Sequence, residues 1–179
     1  ATGLTVSPDG RKRFLLFRQL KEQIKTMPHA EAMQLVDSIS ASLDATEPET
    51  NSVLGWDELR RLQGEGVTLA PHTRTHPMLN RIELFDACRE IAASWEDLDR
   101  ELDGPVLRVV AYPAGGVSDQ VAAAADEAGM DLGLTTRRGI NDLQQADRFQ
   151  LRRINVGART TLGILRSQLL AQSRFLTPD

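Results

Sequence analysis

The stretch VTLAPHTRTH, residues 67–76, joins a short apolar run to two histidines that stand four residues apart. The apolar run VTLAP follows Gly66 and has the composition of a β-strand. His72 and His76 come directly after it, in the loop that a strand would enter. Functional residues of parallel α/β folds cluster in such loops, at the carboxyl ends of the strands. The stretch therefore predicts a strand of an α/β sheet and the location of its functional edge.

Helix and strand patterns alternate around this stretch. A helix is predicted before it, over residues 56–66 with Gly66 as its stop, and a longer one after it, over residues 82–102, with apolar residues along one face. That face consists of Leu84, Cys88, Ile91, Trp95, Leu98 and Leu102. Further strands are predicted at VLRVVAY (106–112), MDLGLTT (130–136) and LRRINV (151–156), and further helices at 118–129, with Ser118 as N-cap, and at 160–175. Strands that each pair with a helix indicate an α/β fold with a parallel sheet, either open or barrel-like.

The N-terminal third has a helical pattern only. Residues 11–26 place Phe14, Phe17, Leu20 and Ile24 at spacings of three and four, and residues 28–43 do the same with Met33, Val36, Ile39 and Leu43. These spacings predict two amphipathic helices with buried apolar faces, arranged as a helical hairpin. Residues 44–52, which contain Pro48, are expected to form a loop. We therefore divide the chain into residues 1–52 and an α/β core over residues 53–179, within a single domain.

Composition excludes several classes of protein. The chain has 179 residues, of which 41% are hydrophobic and 26% charged, which is enough for one domain with an apolar core. A single cysteine, Cys88, excludes an internal disulfide and a cysteine-based zinc finger. A net charge of −4 with dispersed basic residues argues against nucleic acid as a partner. No apolar run has the length of a membrane helix, so no membrane segment is expected.

The histidine pair is the first candidate site. Two imidazoles four residues apart, at the edge where functional loops meet, are within reach of one divalent ion. Histidines at this spacing also occur as surface residues and as hydrogen-bond donors that stabilise loops. The spacing alone leaves both interpretations open.

The second candidate is the turn AYPAGG, residues 111–116, which follows the predicted strand 106–112. A turn of small residues and glycines lets the backbone approach a ligand closely, and its N–H groups can point at a developing oxyanion. Turns of this composition also end strands for purely structural reasons.

Together these motifs resemble those of polysaccharide deacetylases, the NodB-type domain of carbohydrate esterase family four. Residues 56–79 resemble the family's second motif region, in which a strand delivers H-[S/T]-x-x-H, and AYPAGG resembles its third motif. The resemblance runs from Gly55 to about Val156. It implies a (β/α) barrel that is incomplete here, lacking the first strand or strands, with the helical hairpin as an insertion. The opening Ala-Thr-Gly resembles the end of an early strand, so we expect the chain to be part of a longer protein.

The resemblance also implies a cofactor and site residues. Family members hold a divalent metal, usually zinc, with one Asp and two His, and hydrolyse the acetamide of an N-acetylated sugar. His72 and His76 match the two metal histidines, and Thr73 matches the Ser or Thr between them. Ala114 stands where the family usually has a Tyr whose backbone N–H binds the oxyanion. Because the backbone supplies that donor, Ala114 retains it.

Three features of the family pattern are missing. The Asp-Asp motif that supplies the third metal ligand and the base is absent, and so is the Leu-x-His motif that supplies the acid. The arginine that begins the third motif is replaced by Ala111. At the place of Leu-x-His stands LRRINV, whose Arg152 or Arg153 could contribute charge or be solvated residues at a strand edge. Three aspartates in or near loops at strand ends could replace the missing carboxylate, and their spacing does not distinguish between them: Asp119, Asp131 and Asp142.

We therefore expect a hydrolase that removes acetyl groups from N-acetylated sugars of a glycan, present here as a piece that is inactive alone. The alternative is a catalytically dead domain of this fold with a carbohydrate-binding or structural role. Loss of a barrel strand exposes sheet edge and apolar surface, so self-association or a partner chain covering the gap is also expected. The sequence makes no prediction of the cellular compartment.

Overall fold

The computed structural model describes residues 8–43 and 53–173. The chain divides into two compact units, residues 1–54 and 55–179, each of which is described by itself. The first contains the helices α1 (Gly10–Thr26) and α2 (His29–Ser42). The second contains, in chain order, α3 (Trp56–Gly64), α4 (Leu84–Glu101), β1 (Val109–Ala111), α5 (Asp119–Glu127), β2 (Leu132–Arg138), β3 (Leu151–Arg153) and α6 (Leu162–Ser173).

The three strands form one parallel sheet in the order β1, β2, β3. Val110 of β1 lies beside Gly133 of β2, and Leu134 of β2 lies beside Leu151 of β3. The predicted α/β class with a parallel sheet is confirmed. Because all three strands run in the same direction, their carboxyl ends lie at one edge. Closure of this sheet into part of a barrel stays a prediction.

The strand predicted over VTLAP is an extended segment beside β1 and not a strand of the sheet. Only two backbone hydrogen bonds join it to the chain leading into and through β1: Leu107 N–H donates to Leu69 O (3.2 Å) and Ala111 N–H to Pro71 O (3.1 Å). Pro71 has no N–H to return, so the ladder stays incomplete. The segment still runs alongside β1, and the loop after it leaves from the predicted edge.

A single apolar cluster joins α4, α5 and the sheet. Its buried members are Leu79, Ala87, Ile91, Val110, Tyr112, Val117, Val121, Ala122, Ala125, Met130 and Phe149. Ser118 is the N-cap of α5, as predicted, and its hydroxyl accepts a hydrogen bond from Val121 N–H (3.3 Å). On the predicted face of α4, Ile91 and Leu102 are buried, whereas Leu84, the first residue of the helix, is 45% exposed.

The predicted burial of the N-terminal helices is wrong. Both helices exist, but Phe14 and Phe17 of α1 are 59% and 60% exposed, and Ala32 is the one buried residue of α2. Periodic spacing makes a face suitable for burial, but burial also needs an opposing element. The predicted loop 44–52 and strand end 1–3 lie outside the described residues. No helix in the described part of the chain is long and apolar enough to cross a membrane.

Gly133 is required by the packing of β2 on Tyr112. A Cβ atom at this position would overlap the Tyr112 hydroxyl and lie 2.5 Å from the Phe149 carbonyl oxygen, and both neighbours are held in the core. We predict that Gly133→Ala lowers the free energy of unfolding by about 1–3 kcal/mol, measured by denaturant titration. The control is Gly157→Ala, where a Cβ meets nothing within 4 Å. Equal stability of the two variants would contradict this packing.

Candidate functional site

The histidine loop and the AYPAGG turn meet at the carboxyl edge of the sheet. His72 follows the extended segment 67–71 directly, and the turn follows β1 directly. One hydrogen bond joins them, between His72 Nδ1 and the carbonyl oxygen of Ala111, at 2.5 Å. The structure therefore brings the two predicted motifs together.

This hydrogen bond fixes the tautomer of His72. A carbonyl oxygen only accepts, so Nδ1 must carry the proton and donate it. The neutral ring then has its lone pair on Nε2. Histidines that bind metals have this arrangement, with one ring nitrogen donating to a carbonyl and the other free for the ion.

The two imidazole rings lie close together. Their centroids are 4.9 Å apart and the ring planes make an angle of 75°. Two imidazoles on one tetrahedral zinc ion, with Zn–N bonds of about 2.0–2.1 Å, have centroids roughly 5 Å apart. The observed centroid distance is of this size, and a shared ion stays a prediction.

The backbone of the loop adopts an uncommon conformation. Thr73 has a φ of 65° and His76 a φ of 62°, in the left-handed region that residues other than glycine seldom occupy. The Thr73 hydroxyl accepts a hydrogen bond from the His76 N–H (3.1 Å), which closes the loop on itself. Conformations of this kind persist only where their surroundings hold them.

Helix α4 supplies those surroundings. The Glu90 carboxylate accepts hydrogen bonds from the Arg74 N–H (2.8 Å), the Thr75 N–H (2.8 Å) and the Thr75 hydroxyl (2.7 Å). Burial alone would raise the pKa of Glu90, but these hydrogen bonds and the charge of Arg74 together lower it below its ordinary value of 4.5. Asp97, about two helical turns after Glu90 in α4, forms an ion pair with Arg74 at 2.8 Å.

The AYPAGG turn presents a free backbone donor. Ala114 has a φ of 51°, and its N–H donates to no group among the described residues. The next residue, Gly115, has a φ of 74°, and a Cβ there would overlap the Thr136 hydroxyl of β2. The turn therefore needs glycine at this point. Ala114 lies three residues after Ala111, whose carbonyl oxygen contacts His72, and its role as an oxyanion donor stays a prediction.

The described residues contain no third metal ligand. No group of three His, Cys, Asp or Glu in residues 8–43 and 53–173 could hold an ion. Asp131 precedes β2 and so lies at the opposite edge of the sheet. Asp119 accepts a hydrogen bond from Gln150, and Asp142 one from the Gln144 N–H. None of the three is placed beside the histidine pair as a substitute carboxylate.

The two arginines of β3 have structural partners. Arg153, the last residue of the strand, donates from Nε to the Thr135 carbonyl oxygen of β2 (2.6 Å). Arg152 exchanges backbone hydrogen bonds with the Asn141 side chain. Arg153 lies at the carboxyl edge by topology, and its role as a catalytic charge stays a prediction.

Sequence reasoning missed Glu90. The residue lies fourteen positions after His76, in a helix for which the sequence predicted only the apolar face, and Glu90 is not on that face. No local motif marks it, because its role depends on how α4 packs beside the loop.

The carboxyl edge of the sheet thus holds a histidine pair and, at Ala114, a backbone N–H that has no acceptor among the described residues. The model of the polysaccharide deacetylase family matches residues 23–133, more than half of the chain. The chain therefore belongs to the polysaccharide deacetylase family. Members of this family are generally metal-dependent. No curated protein sequence matches the chain significantly.

Solved structures share the fold. The chain is similar to the deacetylase PplD of Streptococcus pyogenes, solved in complex with acetate, with 23% identity, a TM-score of 0.61 and coverage of 68% of this chain and 53% of that one. It is also similar to a polysaccharide deacetylase from Bacillus cereus, with 24% identity, a TM-score of 0.59 and coverage of 67% of this chain and 38% of that one. A third similar structure is a de-N-acetylase from Aggregatibacter actinomycetemcomitans, with 17% identity, a TM-score of 0.56 and coverage of 70% of this chain and 58% of that one. The chain thus spans little more than half, or less, of the structures that it matches.

The tautomer of His72 is directly observable. We predict that, at a pH where the ring is neutral, ¹⁵N NMR shows a protonated Nδ1 and a lone pair on Nε2 for His72, because the Ala111 carbonyl accepts its proton. His29 is the control, since its ring has no hydrogen bond among the described residues and should follow the preference of free histidine. A His72 ring with its proton on Nε2 would contradict the contact.

Proposed function

We propose that the protein to which this chain belongs is a metal-dependent deacetylase that acts on N-acetylated sugars of a glycan, and that His72 and His76 are two of its metal ligands. The observation that carries the proposal is the free Nε2 of His72, set by the Ala111 carbonyl and placed beside a second imidazole. When bound, a divalent ion, with zinc expected, polarises a carbonyl and lowers the pKa of its coordinated water.

Each of these residues of the chain has a separate role in the proposed reaction. His72 and His76 hold the ion by their imidazoles, and the Ala111 carbonyl keeps His72 in the ligating tautomer. The Ala114 N–H donates to the oxygen that gains negative charge when the acetamide carbonyl is attacked. Arg153 adds positive charge at the same edge. The described residues hold no third ligand, and the family's Asp-Asp motif does not occur in the sequence, so the proposal assigns the third ligand and the base to residues outside this chain.

The family description supports a glycan as the substrate class, and one similar structure supports deacetylation as the reaction. The family model names polysaccharide deacetylases, and the similar structure of PplD was solved with acetate, the product of a deacetylation. Because the described residues hold no third ligand and the sequence has no Asp-Asp motif, this chain is proposed to be inactive alone. The unpaired edge of segment 67–71 is further proposed to be covered by additional sheet, from a second copy or a partner chain.

One alternative has an observation in its favour. No carboxylate of the described residues joins the histidines as a third metal ligand, which is the condition expected of a catalytically dead domain with a carbohydrate-binding or structural role. The two functions differ in the sequence that precedes this chain. An Asp-Asp pair after an apolar strand there supports the enzyme, and its absence supports the inactive domain.

Zinc titration tests the metal ligands. We predict that calorimetry detects about one zinc ion per chain and that His72→Ala and His76→Ala each weaken binding by roughly tenfold or more, because each removes one of two ligands. His29→Ala is the matched control and should bind as the unaltered chain does. Indistinguishable titrations for all three variants would leave the histidine pair without a metal.

A deacetylation assay tests whether this chain is inactive alone. With zinc or cobalt added, this chain is expected to release little acetate from an N-acetylglucosamine oligomer, because the sequence has no Asp-Asp motif to supply the proposed base. Robust turnover would show that the essential residues are all present here.

A further inference from the structure

We propose that Glu90 is the positioning residue that holds the histidine loop in its metal-binding conformation, which makes α4 part of the metal site. The part of this inference that concerns metal binding rests on the proposed function. Its structural half, that Glu90 orders the loop, stands without the metal.

The Glu90 carboxylate is fully engaged with the loop. Its Oε2 accepts from two consecutive backbone N–H groups, those of Arg74 and Thr75, and its Oε1 accepts from the Thr75 hydroxyl. All three distances lie between 2.7 and 2.8 Å, as for charge-assisted hydrogen bonds. A carboxylate in this position does for the loop what an N-cap does for a helix.

The two bound residues are the ones that set the separation of the histidines. Arg74 and Thr75 lie between His72 and His76, with the left-handed residues Thr73 and His76 on either side of them. A backbone in this conformation relaxes unless its surroundings hold it. Relaxation of residues 74 and 75 changes the path of the chain between the two imidazoles, and hence their distance.

Helix α4 is a rigid support for this contact. Glu90 is followed by Ile91, which is fully buried in the core, and Ser94 on the next turn is also buried. The ion pair between Arg74 and Asp97 joins the loop to the same helix a second time. The loop is thus tied to the core through one helix. The lowered pKa of Glu90 agrees with a carboxylate that stays ionised at neutral pH.

The matched variants are Glu90→Ala and Glu96→Ala. Glu96 is an exposed carboxylate on the same helix with no hydrogen bond or ion pair among the described residues, so its removal changes the charge and leaves the loop intact. Amide hydrogen exchange of the metal-free chain is the first measurement. We expect Glu90→Ala to speed exchange at Arg74 and Thr75 at least tenfold, with the amides of Ile91 and Val110 unchanged, and Glu96→Ala to match the unaltered chain.

Zinc affinity is the second measurement. Loss of a residue that orients ligands typically weakens metal binding about 10–100-fold, and we expect a change of that size in Glu90→Ala. Glu90→Gln should recover part of it, because the amide oxygen still accepts both backbone N–H groups. If Glu90→Ala does not fold, Thr75→Val removes only the hydroxyl contact and should still speed exchange at Thr75.

The outcomes separate this inference from the proposed function. If the unaltered chain binds no zinc, the proposed function fails, and exchange at Arg74 and Thr75 still tests Glu90. If the unaltered chain binds zinc and Glu90→Ala or Thr75→Val shows unaltered exchange and affinity, the positioning role is overturned. Faster exchange with unaltered zinc affinity would also overturn it.

Discussion

The hydrogen bond between His72 and the Ala111 carbonyl is the contact on which the site depends. It joins the loop after segment 67–71 to the end of β1, and so to the AYPAGG turn that follows. The same contact selects the tautomer in which Nε2 is free. A single backbone carbonyl, placed by a parallel strand, therefore sets both the position and the chemistry of the first proposed ligand.

The rest of the second unit serves to hold this edge in place. The apolar cluster fixes β1 against α4 and α5, and α4 in turn carries Glu90 and Asp97 to the histidine loop. Glycines at positions 115 and 133 allow the turn and β2 to approach their neighbours without a side chain between them. The strained residues Thr73 and His76 are thus stabilised by contacts that lie outside the motif itself.

The sequence predicted most elements of the second unit correctly, and the burial of the N-terminal helices wrongly. Short apolar runs and helical spacing identified β1, β2, β3 and the helices around them, because local propensity and periodicity decide such elements. The order H-T-R-T-H and AYPAGG also identified the family. Spacing did not predict that Phe14 and Phe17 would be exposed, nor that VTLAP would lack a complete ladder, because both depend on partners elsewhere. Glu90 was missed for the same reason, since its contacts with the loop are long-range.

The central claim is that His72 and His76 bind one ion together. X-ray absorption spectroscopy of the zinc-loaded chain measures the ligands directly. The account predicts about two imidazole nitrogens in the first shell, with oxygen from solvent completing the coordination and no sulfur from Cys88. A first shell without imidazole scattering, or one dominated by sulfur, would contradict it.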